Sequence, residues 1–128
     1  MPIKRLARSL ALYIMACVAT DGLAQSLNHV VLVWLKDPGN EAQIDAIIDN
    51  AGSLTAIPGV LAVSAGRSIP SERKIVDDSF TVGVNIVLGS TDDIADYVKH
   101  PIHTEYIGKY VDGKAARILI YDFYTGEP

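Results

Sequence analysis

Three histidines are the side chains best suited to acid–base chemistry in this sequence, and two of them lie close together. His100 and His103 belong to the segment YVKHPIH, which opens with Tyr97. A neutral imidazole accepts a proton near neutral pH, so His103 is a candidate general base, and the Tyr97 phenol is a candidate hydrogen-bond donor to a substrate carbonyl. The third histidine, His29, opens the apolar run HVVLVWLK. These residue types predict an acid–base site if the fold brings them to one cavity.

Each histidine also has a structural interpretation, which stays open at this point. His29 would cap a strand, His100 would bind backbone beside the proline, and His103 would satisfy buried backbone at a helix start. In the functional interpretation, a pocket with convergent polar groups binds a small molecule. The predicted lining of that pocket is His29, Val31, Val33 and His100.

Other kinds of site lack their usual sequence patterns. His100 and His103 are separated by a proline and an isoleucine, and the sequence has no His-x₃-His or His-Glu-x₂-His pattern, so we predict no metal site. No glycine-rich phosphate loop follows the first strand and no Gly-x-Ser-x-Gly segment occurs, so we predict no cofactor. The net charge of −4 argues against a nucleic-acid partner, because phosphate contacts need clustered Lys and Arg.

The elements that position these residues follow from hydrophobic periodicity. With 128 residues, of which 49% are hydrophobic and 20% charged, the chain is long enough for one globular domain. Alternating or continuous apolar runs predict four strands, and apolar residues at helical spacing predict helices between them. The strands cover 29–36, 60–67, 80–88 and 116–124, and the helices begin at the caps Asn40 and Ser90 or Thr91 and again at Pro101.

A βαββαβ order folds most simply as a ferredoxin-like α+β sandwich, with an antiparallel sheet and the helices on one face. The first and last strands are apolar on both faces, however, and a soluble monomer does not tolerate an open apolar sheet of this size. We therefore predict a homodimer in which two sheets face each other as a dimeric α/β barrel. If the His29, Val31 and Val33 face is the barrel interior, His29 lies at the mouth of an apolar cavity.

The first 24 residues have the pattern of a secretory signal peptide. Three basic residues precede an uncharged apolar run of eleven (LALYIMACVAT), and small residues occupy the −3 and −1 positions of a cut before Gln25. The run is too short for a spanning helix, so no stable membrane anchor is expected after cleavage. The alternative is an N-terminal helix that packs on the domain. The sequence thus predicts a signal peptide over 1–24, a domain over 25–128 without the single cysteine, Cys17, and a periplasmic or secreted location.

Several of these segments together resemble the stress-responsive A/B barrel (Dabb) domain. They are the histidine-led first strand, the Ile57–Gly59 turn, the Asp96–His103 segment and Asp122 near the end. The resemblance covers about residues 28 to 124. It implies a dimeric ferredoxin-like α+β barrel, as the strand pattern does independently.

One group of plant Dabb proteins is similar to this chain and cyclises linear polyketides by aldol condensation. The resemblance places its catalytic histidine on His103, its assisting tyrosine on Tyr97 and its first-strand pocket histidine on His29. A further pocket histidine of that group falls on Val82, which therefore joins the predicted lining, and a pocket tyrosine falls near Asn50. These departures argue against the same substrate.

Two classes of function follow from the sequence. The first is an exported stress-responsive A/B barrel protein that binds a small apolar ligand in the barrel cavity. The second is a cofactor-free enzyme of the polyketide-cyclase or monooxygenase kind, with His103 as general base and Tyr97 as hydrogen-bond donor. A bound ligand without turnover would favour the first.

Overall fold

The structure is a computed structural model that describes residues 25–126. The predicted signal peptide and Cys17 lie outside the described residues. Four strands and three α-helices make up the domain, with a 3₁₀ helix after the first α-helix. In chain order they are β1 (Ser26–Leu35), α1 (Glu41–Asn50), the 3₁₀ helix (Ala51–Ala56), β2 (Val60–Arg67), β3 (Val82–Leu88), α2 (Asp92–Lys99), α3 (Pro101–Tyr110) and β4 (Ala115–Thr125).

The strands form one antiparallel sheet in the order β2-β3-β1-β4. This order and the helical crossovers are those of the predicted ferredoxin-like α+β fold, which is confirmed. β1 occupies a central position, where it pairs with β3 on one side and with β4 on the other. Its register places His29 opposite Ile86 of β3 and Asp122 of β4.

Local sequence explains where the helices begin and end. The Asn40 side chain caps α1 by accepting a hydrogen bond from the Gln43 amide at 3.1 Å, as the capping pattern predicts. Gly59 ends the following turn with φ of 89°, a conformation that favours glycine. A Cβ at that position would lie 2.7 Å from Cγ of Asp93, so the residue also permits close approach of α2.

The helices cover one face of the sheet, and the other face stays open. Alternate residues of β1 and β3 point toward the helices and form the core, with Val33, Val82 and Leu88 almost fully buried. The open face carries the intervening residues of β1, including Trp34, and residues such as Tyr121 and Phe123 of β4. His29, Val31 and Val33 therefore lie under the helices of their own protomer. The expectation that this face lines a barrel between two sheets is corrected.

Element boundaries differ from the sequence expectation at several ends, most clearly in β1 and α1. β1 begins three residues before His29, because Ser26 and Leu27 already pair with β3 and β4. α1 ends at Asn50 and continues as a 3₁₀ helix, in which Thr55 and Ser53 bond to backbone carbonyls of the preceding turn. Among residues 25–126, no helix combines the length and apolar character needed to cross a bilayer.

Candidate functional site

A cavity of about 210 Å³ lies between the helices and the covered face of the sheet. Most of its wall is aliphatic, from β1, β3, β4, α1 and α3. Three polar rings from three elements meet along the wall: His29 from β1, Tyr97 from α2 and His103 from α3. The remaining lining residues are Val31, Val33, Ile47, Leu54, Val84, Ile86, Tyr106, Ile107, Val111, Ile118 and Ile120.

The break between α2 and α3 orients the His103 imidazole. Its Nδ1 lies 3.0 Å from the backbone carbonyl oxygen of Val98, at the end of α2. A carbonyl only accepts, so Nδ1 is the protonated nitrogen and Nε2 of the neutral ring keeps its lone pair. Burial lowers the pKa of His103 from 6.5, the Val98 hydrogen bond raises it in part, and the charge of His29 lowers it further. His103 is therefore neutral and able to accept a proton at physiological pH.

Tyr97 presents a protonated phenol to the same cavity. The residue is only 2% exposed, and its ring lies 4.7 Å from that of His103 between centroids. Burial raises the pKa of Tyr97 to about 12, so the hydroxyl stays protonated and can donate a hydrogen bond. The ring also contacts His29 edge-on at 5.8 Å, which completes the cluster of three.

His29 is held by an acidic residue of the edge strand. Its Nδ1 lies 2.7 Å from Oδ1 of Asp122, and the two residues are direct partners in the β1–β4 register. The His29 side chain is 8% exposed and that of Asp122 is 44% exposed, so the carboxylate lies at the edge of the cavity and remains partly hydrated. The carboxylate accepts from Nδ1, which leaves Nε2 of His29 available to a bound molecule.

These positions allow a defined set of interactions with a small molecule. The aliphatic wall favours an apolar body, and the three rings offer one phenolic donor and two imidazole nitrogens at the polar part of the wall. Within residues 25–126, no three His, Cys, Asp or Glu side chains are grouped so that they could hold a metal ion.

Five of the seven predicted site residues line the cavity: His29, Val31, Val33, Tyr97 and His103. His100 and Val82 do not, and this part of the prediction is corrected. His100 caps α3 instead, because its Nδ1 accepts a hydrogen bond from the Ile102 amide at 3.2 Å. Val82 is fully buried in the core, where it pairs with Val33 near the other end of the strand from His29.

Sequence reasoning gave Asp122 no role in the site. One signal was present, since Asp122 is the single acid in the otherwise apolar and aromatic strand ILIYDFY. Antiparallel pairing of the first and last strands would have placed it near His29. Tyr106, which also lines the cavity, gave no such signal, because a tyrosine at helical spacing is ordinarily a core residue.

Comparison with known proteins identifies similar chains. Residues 27–125 match the family model of the Stress responsive A/B Barrel Domain, Dabb. A stress-response A/B barrel domain-containing protein of Arabidopsis thaliana is 28% identical over 88 residues, which are 69% of this chain and 32% of that protein. The chain thus spans about a third of that relative's length. Olivetolic acid cyclase of Cannabis sativa is 25% identical over 99 residues, covering 77% of this chain and 95% of the cyclase.

Solved structures share the fold. A hydroxynitrile lyase from Passiflora edulis superposes with a TM-score of 0.67 and 22% identity, over 82% of this chain and 97% of the lyase. A dimeric protein of unknown function and ferredoxin-like fold from Bacteroides fragilis superposes with a TM-score of 0.65 and 18% identity, over 78% and 96% of the two chains. Since the family match extends over nearly all of the described residues, this chain belongs to the stress-responsive A/B barrel domain family.

Proposed function

We propose that this protein binds a small, mostly apolar molecule that carries a carbonyl oxygen, in the cavity between the sheet and the helices of each protomer. One observation carries the proposal: an aliphatic cavity whose polar groups are concentrated on His29, Tyr97 and His103. The Tyr97 hydroxyl donates to the carbonyl oxygen, and the aliphatic wall buries the rest of the molecule.

The volume limits the size of the ligand. An apolar protein cavity of about 150 Å³ takes up benzene. The cavity of about 210 Å³ therefore suits a ring with short substituents or a short branched chain. It is smaller than most drug-sized sites, which begin at about 300 Å³.

A cavity-blocking variant tests the proposal. Ile107→Trp places an indole from α3 into the cavity, whereas Thr104→Trp adds the same group to an exposed position of the same helix. Untargeted metabolite pull-down followed by native mass spectrometry should find a bound small molecule on the wild type and on Thr104→Trp, and none on Ile107→Trp. Equal ligand retention by both variants would contradict the location.

A cofactor-free acid–base enzyme is the second candidate. It is favoured by the protonation states of the two side chains: the His103 imidazole can accept a proton, and the Tyr97 phenol can donate a hydrogen bond. Nε2 of His103 would take a proton from a carbon next to the carbonyl, while the Tyr97 hydroxyl holds the carbonyl oxygen. A cyclase and a hydroxynitrile lyase among the similar proteins support this class of reaction.

Two variants separate catalysis from binding. For an enzyme, His103→Ala should reduce turnover of a captured ligand by about 10²–10⁴-fold and leave binding largely intact. Tyr97→Phe should reduce it as well, because it removes the donor while retaining the ring. Unchanged turnover in His103→Ala would exclude this mechanism, and the absence of any turnover by the wild type would leave ligand binding as the function.

The open sheet face supports assembly as a homodimer. Tyr121 and Phe123 of β4 are 56% and 50% exposed there, opposite Val30 and Asn28 of β1. Apolar surface of this extent marks an interaction site, and similar solved proteins are described as dimeric. Light scattering should give twice the protomer mass at micromolar concentration, and Phe123→Lys should give the protomer mass.

Export is a separate part of the proposal and depends on residues 1–24. Their basic start, apolar run and small-residue site are those of a secretory signal. Mass spectrometry of the protein from its native host should find an N-terminus at Gln25 in the periplasm or medium. An intact Met1 would contradict it.

A further inference from the structure

A second hollow lies on the other side of the contact between α1 and α3. It is a surface groove of about 410 Å³, lined by polar and apolar residues of both helices and of the 3₁₀ helix, among them Asn50, Ser53, Ile102 and Tyr110. The cavity and the groove take different residues of the same helices. Ile47 and His103 border the cavity, whereas Asn50 and Ile102 border the groove.

Tyr106 is the residue that lines both spaces. It is 4% exposed, so its ring fills the partition between them and is not displayed on the surface. Its hydroxyl donates to the carbonyl oxygen of Ile47 at 2.6 Å, and its ring lies 5.3 Å from that of Tyr110 between centroids. The hydrogen bond crosses from α3 to α1 and holds the ring in place.

The position of Tyr106 relative to the polar groups affects how long a bound ligand can be. Tyr106 follows His103 by three residues, which is a rise of about 4.5 Å along α3. A molecule whose carbonyl lies at His103 and Tyr97 therefore meets the Tyr106 ring within a few carbon atoms. With the ring in place, the tail ends there or turns along the sheet.

We propose that Tyr106 is a specificity-determining residue: its ring separates the cavity from the α1–α3 groove and so sets the maximum length of the apolar tail. The inference rests on the proposed function, because it concerns the ligand of that same cavity. Without the ring, the two spaces join and longer tails extend into the groove.

A homologous series of methyl n-alkyl ketones tests the inference by calorimetric titration. Burial of each added methylene should strengthen binding about fourfold until the tail reaches the partition, after which wild-type affinity stops rising. Tyr106→Ala should move this limit to longer ketones, and two further buried methylenes would give about sixteenfold tighter binding than wild type. Tyr106→Phe, which retains the ring, should keep the wild-type limit.

Tyr110→Ala is the matched control, because Tyr110 lines the groove without bordering the cavity. Its length limit should equal that of the wild type. A limit unchanged in Tyr106→Ala, or shifted equally in Tyr110→Ala, would overturn the inference while ketone binding itself still supported the proposed function. Failure of every protein, wild type included, to bind any ketone would overturn both. If circular dichroism shows that Tyr106→Ala does not fold, Tyr106→Val replaces it in the titrations, with the same outcomes expected.

Discussion

The hydrogen bond between His29 and Asp122 gives a quantitative test of how the site is held. Its acceptor is ionised and the Nδ1–Oδ1 distance is 2.7 Å, so it belongs to the stronger class, worth about 1.5–3 kcal/mol. Because the Asp122 side chain is 44% exposed, water screens the charge and the low end of that range applies. Asp122→Ala should therefore lower the free energy of unfolding by about 1.5 kcal/mol.

Urea unfolding at a fixed protomer concentration measures this loss, since dimerisation would otherwise shift the midpoint. Asp122→Asn keeps an acceptor without the charge, and its loss should be smaller, about 0.5–1 kcal/mol. Glu105→Ala is the control, because Glu105 pairs with Lys109 on the exposed side of α3 and should change stability by about 0.5 kcal/mol or less. If Asp122→Ala unfolds like the wild type, or if the Asn and Ala variants coincide, the carboxylate does not hold His29 as argued.

Three further perturbations address the elements around the site. His100→Ala should lower the free energy of unfolding, measured in urea, by about 0.5–2 kcal/mol, because it removes the side-chain cap of α3. His100→Asn should retain most of that stability, and equal stability of the two variants would contradict the cap. Gly59→Ala should lower the free energy of unfolding by about 1–3 kcal/mol, since φ is 89° and the new Cβ meets Asp93. Adding Asp93→Ala should relieve only the contact, so full recovery of stability in the double variant would refute the backbone argument. Burial lowers the pKa of His103 below 6.5, so the unfolded chain gains its proton first as pH falls, and the contribution to stability that is present above about pH 6.5 is lost below it. Lowering the pH from about 7.5 to about 5.5 should reduce the free energy of unfolding of the wild type more than that of His103→Gln. Parallel pH profiles of the two proteins would contradict this.

Periodicity in the sequence predicted the strands, the helices and their order, because each element has one face that must be buried. Phe80 to Leu88 alternates cleanly, and the structure buries the expected alternate residues of β3. Periodicity alone could not decide whether helices or a second sheet cover the face that carries His29. Helices and a second sheet both bury apolar side chains, and only the three-dimensional crossovers show that the protomer's own helices cover it.

Hydrogen bonds between residues far apart in the sequence could not be predicted from the sequence. His29 and Asp122 are 93 residues apart, and their contact depends on the exact β1–β4 register. His100 shows the opposite case, since a residue beside a proline is extended and its side chain can reach the next free amide. Its capping role followed from local rules, whereas its assignment to the pocket required tertiary geometry and was wrong.

The departures from the plant cyclase pattern acquire a physical meaning in this structure. Val82, where that group is expected to carry a histidine, lies in the core, and Asn50 lies in the groove, where its amide donates to the carbonyl oxygen of Ala46. Neither residue adds a polar group to the cavity. In the proposed function, the polar groups available to a ligand are therefore those of His29, Tyr97 and His103, which lie close together. A ligand with polar groups spread along its length would leave some of them unpaired against aliphatic wall, so the cavity favours a molecule that is polar at one end only.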